Sequence, residues 1–351
     1  MLCRFACAAI LIAGRLSHAV LLNEFDYHLP PELIAQEPLG DRAASRMLVV
    51  DRPAGTWQDC VFRDFPRYLR PGDCLILNDS RVFPSRLYGV REHGSGKVEI
   101  FLTRPISPNG LTWEALVHPG RKMRTGERIV ISDELSAEIL GRGEYGERSL
   151  RLHPHGDLFA VLDRVGHVPL PPYIRRADTN LDRTRYQTVY ARERGSVAAP
   201  TAGMHFTPEI LEACRAAGAD IARVTLHVGL GTFQPLRSEK LEEVHLHKEF
   251  FTVPKETLET MLRAARVLAV GTTSVRAIES DPDASETDLF IYPGFQFRRT
   301  GAMLTNFHLP KSSLLVLVCA FAGKDLTLAA YNHAVAQRYR FFSYGDCMLI
   351  L

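Results

Sequence analysis

"RLYGVREHGSGKVEIFLTRP" (residues 86–105) decides how the rest of the chain is read. Apolar and polar residues alternate along two short runs, and Gly and Ser crowd the bend between them. That is the pattern of two half-buried strands joined by a turn. It continues through "TWEALVHPG" (112–120), "ERIVISDE" (127–134), "SAEILGRG" (136–143) and "RSLRLHP" (148–154). Strands of this length, with Gly, Pro and Asn at the breaks, predict a small all-β barrel over residues 85–169.

On both sides the period changes. Upstream, a short helix over Pro31–Gln36 precedes a strand in "RMLVVDR" (46–52), and a helix ending at Pro71-Gly72 precedes a buried strand at 74–78. Downstream, helices in "TPEILEACRAAG" (207–218) and "PKETLETMLRAARV" (254–267) alternate with strands in "ADIARVTLHVG" (219–229) and "VLAVG" (267–271). "TTSVRAIES" opens a further helix, "DLFIY" (288–292) reads as a strand, and two late helices precede the apolar tail "CMLIL", a last strand. Helix and strand in alternation predict an α/β domain, built from 22–84 and 170–351, that carries the barrel as an insertion.

The composition narrows the function classes. The 351 residues are 46% hydrophobic and 23% charged with a net charge of +2, a globular balance without bulk cationic character. Contact with a nucleic acid must then come from local patches. Seven cysteines without a C-x-x-C pair read as reduced thiols rather than a disulfide or zinc framework. His245 and His247 are two apart among glutamates, and on a strand they would share a face, but no metalloprotease-like spacing follows, so no metal is expected. Residues 1–21, with an early arginine, an apolar run and a small-x-small end, have the grammar of a signal peptide. They read instead as an upstream extension, with the true start near Val20 to Leu22.

Polar residues gather where strands end. In "VGTTSVRAIES", Thr272, Thr273 and Ser274 open a helix and Arg276 follows one turn in; hydroxyls there either simply cap the helix or join its free N–H groups in holding an anion. "LTNFHLPKSSLL" sets Asn306 and His308 before a helix, with Lys311 at its positive end. "TLHVGLGTF" puts His227 beside a G-x-G that lacks the third glycine of a dinucleotide fingerprint. "LNDSRVFPSRL" ends its strand on Asn78 and Asp79, with Arg81 close by, and "SYGD" would fix Tyr344 on a turn. Strand ends of this kind are where α/β domains bind ligands. "SVAAPTAGMHFT" (196–207) reads as a floor of small residues from which His205 projects.

These stretches resemble the S-adenosylmethionine:tRNA ribosyltransferase-isomerase family of queuosine biosynthesis. "FDYHLPPELIAQEPLGDRAASRMLVVDR", "GDCLILNDSRVFPSRLYG", "YQTVYARERGSVAAPTAGMHFT", "LHVGLGTFQP", "VGTTSVRAIES", "NFHLPKSSLLVLVCAFAG" and "YRFFSYGDCMLI" run in family order from about Leu22 to Ile350. The resemblance implies transfer of a ribosyl group from S-adenosylmethionine, a co-substrate, to 7-aminomethyl-7-deazaguanine at the wobble position of tRNA. It also implies an α/β fold with an inserted barrel. His205, His227, His308 and Asp79 are then candidates for proton traffic. Thr272, Thr273, Ser274, Arg276, Asn306 and Tyr344 are candidates for holding S-adenosylmethionine. Arg46, Arg81, Arg175, Arg176 and Lys311 are candidates for the tRNA. A cytoplasmic monomer with no membrane partner is expected. The rival readings are an RNA-binding module without catalysis and a metal-dependent hydrolase.

Overall fold

The computed structural model describes residues 19–351 apart from 121–122, 144–145, 230–235 and 237. In chain order the first strands are β1 (Arg46–Asp51), β2 (Thr56–Val61), β3 (Asp73–Asn78) and β4 (Ser80–Val82). The barrel follows as β5 (Arg86–Arg91), β6 (Lys97–Pro105), β7 (Thr112–His118), β8 (Arg128–Ser132), β9 (Leu135–Arg142) and β10 (Glu147–Pro154). After α1 (Leu158–Val165) and α2 (Asn180–Arg185) come β11 (Glu193–Ser196), α3 (Pro208–Ala216), β12 (Asp220–Leu226), β13 (Glu249–Thr252) and α4 (Lys255–Arg263). The chain ends with β14 (Arg266–Val270), α5 (Thr272–Glu279), β15 (Glu286–Thr287), β16 (Ala302–Asn306), α6 (Ser313–Ala322), α7 (Lys324–Ala336) and β17 (Cys347–Ile350).

Nine strands form one mixed sheet in the order β15-β13-β12-β3-β14-β16-β17-β1-β2. Its centre is parallel: β12 and β14 both run with β3, and β16 runs with β14. All six residues of β3 are buried, as expected of a parallel strand covered on both faces. Its side chains alternate between two cores. Cys74 and Ile76 enter the one that holds α5, α6 and α7, and Leu75 and Leu77 enter the one that holds α3 and the Phe62–Phe65 pair. Each fully buried aliphatic side chain contributes about 1.5–3 kcal/mol. The apolar run Leu315 to Cys319 in α6 is buried, consistent with a helix that is apolar all round.

The six inserted strands close into an antiparallel barrel, ordered β10-β7-β6-β5-β8-β9, around Trp113, Ile100, Leu102, Ile129 and Leu150. Residues on the two connecting segments tie it to the sheet. β4 pairs in parallel with β11, and Phe83 and Val197 beside them belong to the barrel core. The end of β3 is thereby fixed against the barrel.

Some local expectations differ. "DLFIY" is not a strand; only Glu286–Thr287 pairs with β13, and the Leu289 carbonyl then turns to accept from Arg276 Nε at 3.0 Å. The expected helices at 31–36 and before Pro71 are 3-10 turns, Pro31–Leu33 and Phe62–Tyr68, the second with Pro66 inside it. His245 and His247 precede β13 and lie on no strand, so the shared face they would need is absent. The second glycine of the G-x-G and most of residues 1–21 lie outside the described residues.

Candidate active site

Because β3, β14 and β16 are parallel, their carboxyl ends come together at one edge of the sheet. β3 ends on Asn78, whose Oδ1 accepts from Ser80 N and Leu226 N and whose Nδ2 donates to Leu226 O and Thr273 Oγ1. That amide is spent on structure, locking the tip of β12 to α5. β14 ends at Gly271, which takes φ +90°, a conformation a side chain would strain. The tight turn delivers α5 with no side-chain cap, so its first N–H groups are left for another acceptor. β16 ends at Asn306.

The ends of β14 and β16 line a cavity of about 320 Å³. One wall carries Thr272 and Thr273, and another carries Thr305, Asn306 and His308. The floor is Ala198 to Ala202, small residues leading into the turn Thr201–His205. Tyr173 and Phe342 stack, with ring centroids 4.5 Å apart, and Tyr173 Oη is 2.6 Å from Ser343 Oγ. His308 is buried, with Nε2 2.8 Å from Thr305 Oγ1 and its carbonyl accepting from Tyr27 Oη. Burial pulls the His308 pKa down to about 3, so the ring is neutral.

Of the residues singled out in the sequence, Thr272, Thr273, Asn306 and His308 meet here. Others do not. Ser274 is fully buried and donates back to the Val270 carbonyl at the end of β14. Arg276 points to a neighbouring recess, where it pairs with buried Glu249, so its charge is already answered. Tyr344 donates to Asp182 Oδ1 at 2.6 Å, away from the cavity lining. His205 does not project into the cavity: it lies behind the floor, 4% exposed, with Nδ1 2.9 Å from Ser45 Oγ and its ring against Phe62. Nor does Gly203 open room for a ligand. A Cβ there would meet Tyr190 Oη at 2.0 Å, so position 203 is small because Tyr190 presses on it.

Asp79 and His227 stand outside the cavity lining as well. Asp79 is buried, with Oδ1 accepting from Thr225 Oγ1 and Oδ2 3.3 Å from Arg192. His227 lines a second recess of about 400 Å³ beside the barrel, which touches the main cavity through Val228. Among the arginines, Arg81 and Arg175 have exposed side chains. Arg46 lies over the Tyr339 ring and beside Asp59, and Arg176 is held by Asp182 and Glu37. Lys311 pairs with Asp26 at 2.8 Å. Among the described residues, no three His, Cys, Asp or Glu side chains gather as metal ligands.

Sequence reasoning missed Tyr173, Phe342, Ser343 and Thr305. Tyr173 sits in the proline-rich connector "VPLPPYI" and Phe342 in "RFFSYGD", so each carried a signal, an aromatic in a stiff or polar segment. Their pairing across 169 positions had none.

An α/β sheet with a mostly apolar, aromatic-walled cavity at its strand ends and a closed barrel inserted between its strands defines an α/β enzyme with an inserted barrel. The chain belongs to the queuosine biosynthesis protein family, whose sequence profile matches residues 22–350. S-adenosylmethionine:tRNA ribosyltransferase-isomerase from Solibacter usitatus is 64% identical over 94% of this chain and 99% of its own length. The protein of that name from Thermotoga maritima is 50% identical, with the same shares covered. A crystal structure of an S-adenosylmethionine tRNA ribosyltransferase from Thermotoga maritima aligns with a TM-score of 0.52 and 42% identity, over 93% of this chain and all of that one.

Proposed function

We propose that the protein transfers and isomerises the ribosyl group of S-adenosylmethionine onto 7-aminomethyl-7-deazaguanine at the wobble position of tRNA. The product is epoxyqueuosine, with adenine and methionine released, and the reaction belongs in the cytoplasm, where tRNA is. The observation that carries this reading is the cavity at the strand ends, in a chain with 64% identity to a protein of that name.

The residues present fit such a co-substrate. A cavity of about 320 Å³ has the size of a small-molecule site. The Tyr173–Phe342 stack offers a flat apolar face to a purine. The uncapped first turn of α5, with Thr272 and Thr273, suits a carboxylate. His308, neutral and already bonded to Thr305, suits hydrogen bonding to ligand better than long-lived storage of a proton. Arg81 and Arg175 are the exposed cations offered to tRNA phosphates.

The test is incubation with S-adenosylmethionine and tRNA carrying the 7-aminomethyl-7-deazaguanine base. Adenine release that requires that tRNA is the expected result. Release without the tRNA, or none in its presence, overturns the reading.

A further inference from the structure

Two buried polar atoms behind the cavity wall lack partners, and they complement each other. Asn306 lines the cavity and is 2% exposed. Its Nδ2 donates to the Phe342 carbonyl at 2.9 Å, which fixes which end of the amide is nitrogen. Its Oδ1 has no hydrogen bond among the described residues, and neither has His205 Nε2. The turn that ends on His205 packs against β16, the strand that ends on Asn306, and while burial lowers the His205 pKa the Asn306 side chain acts to raise it, as an acceptor beside the ring does.

The tautomer follows from the remaining contact. Ser45 Oγ lies 2.9 Å from His205 Nδ1 and 3.1 Å from the Arg42 carbonyl, and it has one hydrogen to give. If that hydrogen went to Arg42, Nδ1 would have to donate. Nε2 would then present a lone pair to the Asn306 oxygen, two buried acceptors face to face. The opposite choice pairs His205 Nδ1, His205 Nε2 and Asn306 Oδ1, and leaves only the half-buried Arg42 carbonyl without the Ser45 hydrogen.

The geometry points to His205 as a positioning residue: its Nε2–H donates to Asn306 Oδ1, Ser45 Oγ–H donates to His205 Nδ1, and the second Nδ2–H of Asn306 is thereby aimed into the cavity. Asn306 then meets the ligand as a donor only. The group it faces is an acceptor, a hydroxyl or carboxylate oxygen or a ring nitrogen. His205 reaches the reaction through Asn306 and does not touch the reacting atoms. The role in catalysis rests on the ribosyl-transfer reading, whereas the tautomer does not.

Two measurements test it. Long-range nitrogen–proton NMR of the full-length protein, with the His205 signals identified by their loss in His205→Phe, reads the tautomer without any substrate. Protonation at Nε2 is expected, and protonation at Nδ1 overturns the assignment. Steady-state adenine release then gives a double-mutant cycle. His205→Phe and Asn306→Ala should each raise KM for S-adenosylmethionine roughly five- to tenfold, the worth of one neutral hydrogen bond. The double variant should be no worse than Asn306→Ala alone, and His205→Gln, which keeps a donor, should recover most of the loss. Losses that multiply in the double variant, or a His205→Phe protein with wild-type KM, overturn the proposal. Wild-type protein that releases no adenine counts against the ribosyl-transfer reading and leaves the NMR result standing.

Discussion

Lowering the pH from 7 to 5 should destabilise the α/β domain through two buried histidines. His205 and His308 are both buried, and desolvation pulls their pKa values down to about 4 and about 3. In the unfolded chain each titrates near 6.5. Between those limits the unfolded state binds a proton that the folded state refuses. Stability is therefore complete above about pH 6.5 and is lost as the pH falls below it, down to the folded values. At pH 5 each ring is roughly 1.5 units below its unfolded pKa, which costs about 2 kcal/mol apiece, or about 4 kcal/mol for the pair. That is a large part of the 5–15 kcal/mol typical of a folded domain. Carboxylates such as Asp182, whose pKa is lowered by Arg176, Tyr344 and Thr179, lose their contribution only under more acid conditions, and Asp346, whose pKa is raised by burial, acts in the opposite direction to the histidines. His227, also lowered by burial, acts in the same direction. The chain has two tryptophans, Trp57 packed against the α/β core and Trp113 in the barrel. Fluorescence-monitored urea unfolding of a Trp113→Phe protein at pH 7, 6 and 5 thus reports on the right domain. Adding His205→Gln or His308→Gln should in either case remove about 2 kcal/mol of the pH dependence. A stability level between pH 7 and 5, or a decline that neither substitution reduces, would refute the reasoning.

Other expectations follow from single contacts. Gly203→Ala drives a Cβ into Tyr190 Oη, so it should lower stability by about 1–3 kcal/mol, an overpacking cost. Adding Tyr190→Phe should relieve part of this, and an unchanged melting temperature for Gly203→Ala would contradict the packing described. Arg276→Ala leaves Glu249 buried and unpaired and should destabilise by about 3–5 kcal/mol. If the protein instead keeps its stability and loses only affinity for S-adenosylmethionine, Arg276 belongs with the ligand after all. Arg81→Ala and Arg175→Ala should each flatten the salt dependence of tRNA binding by about one phosphate contact, read as the slope of log K against log salt. Arg176→Ala should cost folding stability, because its guanidinium is spent on Asp182 and Glu37.

Periodicity determined much of this protein before any fold was known. The alternation from Arg86 onward and the continuous apolar run at 74–78 follow from how side chains leave a strand, two faces for the barrel and two covered faces for β3. The four cavity residues that the sequence marked, Thr272, Thr273, Asn306 and His308, were legible because they directly follow strands. Local pattern cannot say which way a side chain turns once its backbone is placed. Arg276, Tyr344 and His205 sit in the same motifs, yet Glu249, Asp182 and Ser45 claim them from distant parts of the chain. A buried charge or ring nitrogen goes to whatever partner the fold brings within about 3 Å, and that choice is long-range. Only the tertiary structure decided that Gly203 in "SVAAPTAGMHFT" is small because of Tyr190 beside it. The tertiary structure also put its histidine beneath the cavity floor, against Ser45, rather than above it.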